Sequence, residues 1–122
     1  MNNKEAAVAF LQLASSGNVA AAYERFVGAG FRHHNPYFEG TAQALMAGMQ
    51  MNALQNPDKI LEVKRVVVEG DWVVVHSHVR QRPADLGAAA GHIFRFEAGR
   101  IMELWDVGQP LPEKSSNQNG MF

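Results

Sequence analysis

The stretch Gly91–Pro110, GHIFRFEAGRIMELWDVGQP, decides how the chain is read. On both sides of Glu97-Ala98-Gly99 apolar and polar residues alternate, the pattern of strands with one buried face. Glu97-Ala98-Gly99 suits a three-residue hairpin turn with Gly99 in the left-handed position. Pairing Phe96 with Arg100 across that turn sets His92 opposite Leu104 and Ala90 opposite Asp106. One face then carries His92, Phe94, Phe96, Met102, Leu104 and Asp106. The other carries Ile93, Arg95, Ile101, Glu103, Trp105 and Val107. A different turn length would change these pairings, because a one-residue slip changes which cross-strand residues share a face. The first face is an apolar wall with a histidine and an aspartate at one end, the composition of a small-molecule pocket.

Working outward, ILEVKRVVVEG from Ile60 and GDWVVVHSHVRQR from Gly70 are also rich in β-branched residues. Gly70-Asp71 between them is a natural two-residue hairpin turn. The front half is helical instead. Asn2 or Asn3 can cap a helix whose apolar positions are Ala7, Val8, Phe10, Leu11 and Ala14. Gly17 ends it, and Asn18 can cap a second helix to about Val27. Gly28-Ala29-Gly30 reads as a break. Thr41 can cap a third helix with a stripe of Leu45, Met46, Met49 and Ala53, closed by Asn56-Pro57-Asp58. Three helices followed by a meander of about four long antiparallel strands make an α+β domain.

The 122 residues fit one domain, residues 1–122, with a polar tail over 110–122. The formal net charge is -1 with no basic block, which argues against nucleic acid as a partner. There is no cysteine, so no disulfide or thiolate chemistry is available. The start MNNKEAAVAF has neither a basic nor a long apolar segment, so a cytoplasmic location without a membrane partner is expected.

Two further groups of histidines call for a reading. In FRHHNPYFEG, Phe31–Gly40, an extended chain sends His33 and His34 to opposite faces, so only one can enter a pocket. His76 and His78 share a face with Val74, while Val73, Val75, Ser77 and Val79 occupy the other. An even register would bring His78 near His92 on the pocket side. The Val-rich back face, with Ile93 and Trp105, would then lie exposed, and an exposed apolar patch marks an interface. A homodimer through the sheet is therefore expected. By residue type, His76, His78, His92 and Asp106 also form a possible zinc or iron set. Against it, no glutamate follows His78 closely and the front half is helical.

HHNP before the third helix, VEGDWVVVHSH, GHIFRFEAGRIMELWDVGQP and the ending NQNGMF resemble the SnoaL-like branch of the nuclear transport factor 2-like superfamily over nearly the whole chain. The resemblance implies a cystatin-like cone, a curved antiparallel sheet wrapped over three helices with a pocket at the open end, and a dimer. Family members include polyketide cyclases that close a ring by aldol condensation without metal or organic cofactor. Others are isomerases, epoxide hydrolases, dehydratases and non-enzymatic binding modules. By position, Asp106 matches the acid/base aspartate of the last strand, and His34 the histidine preceding Asn-Pro. Two departures are His92, where related sequences commonly read Asp, and Leu104, where they read His. The expected catalytic residues are thus Asp106, His92 and His34, with substrate contacts from Asn35, Tyr37, His78, Phe94, Met102 and Leu104. The expected ligand is a small hydrophobic carbonyl compound, with no cofactor and no metal. The alternative is a binding module that kept the cone and lost the chemistry.

Overall fold

In the computed structural model, which describes residues 1–122, the elements in chain order are α1 (Asn3–Ser15), α2 (Val19–Phe26), β1 (Val27–His33), α3 (Ala42–Gln55), β2 (Ile60–Glu69), β3 (Trp72–Arg80), β4 (Ala88–Glu97) and β5 (Arg100–Pro110). Asn2 starts α1 by accepting the Glu5 N–H at 2.8 Å, and Thr41 starts α3 by accepting the Ala44 N–H at 3.1 Å. α1 buries Ala6, Ala7, Phe10 and Leu11 on one side. The Phe10 ring meets Tyr23 of α2 at 5.4 Å and Phe94 of β4 at 6.0 Å, both edge to face, which ties the helices to the sheet. No helix is long and apolar enough to cross a membrane.

The sheet has five strands in the order β1-β5-β4-β3-β2, one more than the sequence announces. The extra strand is β1, which runs parallel to β5 with Arg32 beside Glu103 and His33 beside Leu104. Its Gly28-Ala29-Gly30 looks like a break but belongs to the strand. A Cβ on Gly28 would lie 2.5 Å from the Met102 sulfur, so glycine is there to let β1 pass close to β5. Bulges in the β2–β3 and β4–β5 ladders help the mixed sheet to curve over the helices.

The β4–β5 turn is shorter than expected. Glu97 pairs with Arg100 around Ala98 and Gly99 alone, both left-handed at φ +50° and +78°. The ladder then shifts between Arg95 and Phe96, so Phe96 faces Ile101, Phe94 faces Leu104 and His92 faces Asp106. Met102 falls at the bulge, and Ile101 replaces it on the buried side, fully enclosed. The correction strengthens the site, since histidine and aspartate are direct cross-strand partners instead of being two residues out of step.

β3 also sits the other way round from the even register. Val73, Val75 and Ser77 are completely buried under the helices, and Val75, not His78, lies beside His92. Three small or apolar side chains fill that space without unpaired charge, whereas two histidines could not. His76 and His78 therefore face outward. There the C-terminal Phe122 covers them at ring distances of 5.5 and 4.7 Å, with the Lys64 ammonium 5.2 Å above the same ring.

Candidate functional site

A cavity of about 660 Å³ opens between α1, α3, the Asn35–Phe38 loop and the inner face of the sheet. Leu11, Leu45, Met49, Leu61, Val79 and Ala90 make its wall apolar. Ser15, Asn35, Asn52, Lys59, His92 and Asp106 are the polar groups that reach it. This is the make-up of a site for a small ligand: mostly hydrophobic, with a few placed polar atoms.

Asp106 is held by a chain of hydrogen bonds that begins in the doubled histidine. The alternation along β1 buries Phe31 and His33 and turns Arg32 and His34 outward. His33 Nε2 meets the Glu39 carbonyl at 2.6 Å, and His33 Nδ1 meets the Asn35 backbone N–H at 3.1 Å. A carbonyl can only accept and an N–H can only donate, so these partners assign the neutral tautomer with its proton on Nε2. The Asn35 Oδ1 accepts the Tyr37 N–H at 2.9 Å, which aims its amide nitrogen at Asp106 Oδ2, 3.0 Å away. Asp106 lines the cavity, and its Oδ1 accepts no hydrogen bond from the chain.

His92 lies across the ladder from Asp106, with its Nδ1 buried and without a partner. Burial pushes the imidazole down to about 4, against the pull of the Asp106 charge and with a further push from Lys59. Near neutral pH the ring is uncharged and offers one donor and one acceptor. Tyr23, whose hydroxyl touches the Met49 sulfur at 3.4 Å, has its pKa raised by burial and then by the Asp106 charge.

The other expected residues scatter. Tyr37 lines the mouth of the cavity and is 87% exposed. Phe94 and Leu104 are packed in the core beneath the cavity rather than on its surface. Met102 lies against Gly28 of β1. His78 faces outward and meets the Leu86 carbonyl at 2.7 Å, so it lies outside the cavity. His34 is also outside. It bonds Glu103 at 2.5 Å and stacks on Trp105 at 4.6 Å. Burial within the doublet is thus the reverse of that expected, with His33 turned in and His34 out, and neither lines the cavity. The metal alternative fails on the same geometry, because His76 and His78 are separated by the sheet from His92 and Asp106, and no three metal-ligating side chains gather anywhere.

Sequence reasoning missed three contributors. Lys59 and Asn52 reach the cavity from the entry to β2 and from α3. Gly48 lets Phe38 lie on α3, where a Cβ would come within 2.5 Å of the Phe38 ring. None of the three interrupts a periodic pattern, so none leaves a signal in the sequence.

A model of the SnoaL-like domain matches residues 7–104. The chain belongs to the SnoaL-like family. A comparison with curated proteins returns no match. Among solved structures, the SnoaL-like chain is similar to an NTF2-like protein of Cytophaga hutchinsonii, 18% identical with a TM-score of 0.71 over 90% of this chain and 92% of that one. A cystatin-fold protein of Novosphingobium aromaticivorans is 17% identical with a TM-score of 0.73, over 88% and 98% of the two chains. A proposed polyketide cyclase of Acidithiobacillus ferrooxidans is 16% identical with a TM-score of 0.69, over 88% and 87%. At these identities the likeness is one of fold. The matched span stops two residues short of Asp106, so the place of that carboxylate in this SnoaL-like domain rests on the geometry described above.

Proposed function

We propose that this SnoaL-like protein is a small cofactor-independent lyase or isomerase, of the aldol-cyclase type, acting on a hydrophobic carbonyl compound held in the cavity. The observation that carries the reading is Asp106, fixed through Oδ2 by Asn35 and facing His92, whose buried Nδ1 has no partner, across the β4–β5 ladder in a mostly apolar space. Asp106 Oδ1 takes a proton from the carbon next to the substrate carbonyl. The freed electron pair moves onto the carbonyl oxygen, and His92, as a neutral donor, stabilises the enolate. The enolate carbon then attacks a second carbonyl in a cyclase, or takes a proton back at another carbon in an isomerase. In both cases Asp106 returns the proton it took, so the cycle needs no redox partner.

The test follows deuterium uptake next to the carbonyl, by NMR in heavy water, over a panel of hydrophobic ketones and 1,3-dicarbonyl compounds. The wild type should accelerate uptake, and Asp106→Asn should lose about 100-fold or more of that rate. Equal rates for the two proteins would sink the proposal. The second reading, a binding module, draws on His92 and Leu104 standing where related sequences commonly carry Asp and His. It predicts saturable binding of such compounds with no acceleration. A homodimeric, cytoplasmic protein belongs to the same proposal.

A further inference from the structure

We propose that the Lys59–Asn52 end of the cavity receives a carboxylate, so that the ligand is a hydrophobic oxo acid rather than a neutral ketone. This deepens the reading of the cavity as a carbonyl-compound site and rests on it.

Lys59 follows the Asn56-Pro57-Asp58 turn, at the entry to β2. A lysine so placed ordinarily extends its ammonium into water while its stem covers apolar surface. Here the side chain lines the cavity, and its Nζ donates to Asn52 Oδ1 at 2.8 Å. No carboxylate pairs with it, although Lys64, five residues on, is paired with Glu62. Lys59 is the only lysine or arginine among the lining residues. An ammonium has three donors and one is used. Burial lowers its pKa, the mark of a charge that lacks compensation. A ligand carboxylate would supply that compensation and two acceptors. A phosphate dianion fits less well, since one ammonium and one amide leave most of its oxygens without donors.

The charges also fix which way the ligand lies. Asp106 repels a carboxylate and Lys59 attracts one, and His92 feels both groups. The anionic end therefore settles at Lys59, the apolar body against Leu11, Leu61 and Met49, and the carbonyl toward His92 and Asp106.

Calorimetry with 2-naphthylacetate and 2-naphthylacetamide tests this, since the pair differs in charge but hardly in shape. The wild type should bind the acid about tenfold or more tightly than the amide. Lys59→Gln and Lys59→Met should abolish the preference by weakening acid binding far more than amide binding, and Lys59→Arg should keep it. Asp106→Asn, which removes the opposing charge, should retain or raise it. Equal binding of acid and amide by the wild type, or a preference that survives Lys59→Gln, would overturn the inference. The two readings fail separately. A Lys59-dependent preference without deuterium uptake removes the catalytic reading and leaves the carboxylate site. Uptake on neutral ketones with no acid preference does the reverse.

Discussion

Asp106, the base of the proposed reaction, is held in place by a short relay of contacts. Asn35 fixes one oxygen, Tyr37 fixes the Asn35 amide and His33 fixes the Asn35 backbone. His33 touches no cavity surface, so it acts as a positioning residue through Asn35. Asn35→Ala should lower the deuterium-uptake rate about tenfold or more while leaving amide-probe affinity unchanged, because the carboxylate remains but its orientation is lost. A rate equal to wild type would show that the contact is only structural. His92 yields a second prediction, read from stability. Its folded value of about 4 lies below the ordinary 6.5, so between these limits the unfolded chain binds the proton and the native chain does not. Stability therefore falls as pH drops from about 6.5 to about 4, by at most on the order of 3 kcal/mol. Glu103 adds a lower window. Hydrogen bonds from His34 first, then Arg95 and Arg32, hold its carboxyl at about 2, so its contribution is present above about 4.5 and fades as pH falls toward 2. Urea midpoints of wild type and His92→Gln at pH 7 and pH 4.5 separate the two. The variant should lose much of the acid sensitivity in the upper window, and an unchanged slope would contradict the assignment.

At the scale of the element, the β4–β5 hairpin determines which residues meet. Its turn places Ala98 in the left-handed region at φ +50°. That conformation costs a non-glycine residue about 1–2 kcal/mol, whereas glycine gives back about 0.4–1 kcal/mol through a more flexible unfolded chain. Ala98→Gly should raise stability by a net amount of up to about 1.6 kcal/mol, measured by urea denaturation, with the His92–Asp106 pairing and deuterium uptake unchanged. A fall in stability would mean that the turn is not of this kind. The same hairpin shows what the sequence reveals and where it stops. Alternation from Gly91 to Pro110 identified the two strands and put His92 and Asp106 on one face, because period two is local information. The register depended on whether the turn held two residues or three, and Glu97-Ala98-Gly99 supports either. β1 was hidden because Gly28 answers to the nearness of Met102, a contact between residues more than seventy positions apart, and Gly30 to its left-handed φ of +83°. The orientation of β3 was hidden for the same reason. Burial of Val73, Val75 and Ser77 is decided by the helices that cover them, so His76 and His78 carried no local mark of facing out. The His33–His34 doublet was closer to legible. Phe31 shares the parity of His33, and a buried aromatic two residues away points that histidine inward.

For the molecule as a whole, the outer face of the sheet divides into two regions. Over β2 and β3, Phe122 of the tail shelters His76 and His78. Beyond it, Trp72 and Val74 are 44% and 37% exposed, and Trp72 leans on Trp105 at 5.6 Å, which in turn stacks on His34. Beside them, Glu103 is nearly buried although it faces outward, enclosed by Arg32, Arg95 and His34. A rigid aromatic group bordered by satisfied charges is the composition expected at the centre of a protein interface. The homodimer proposed for this chain therefore uses the Trp72–Trp105 region, not the Val73–Val75 face that the even register would have exposed. Trp72→Glu with Val74→Lys places two charges on that region without touching the cavity. Sedimentation should find the wild type as a dimer of the 13.4 kDa chain and the double variant as a monomer. Carboxylate-probe binding should persist in the monomer, because a single chain already encloses Lys59, Asn52, His92 and Asp106 in one cavity. A wild type that sediments as a monomer at micromolar concentration would remove the dimer. A double variant that stays dimeric would move the interface to another surface.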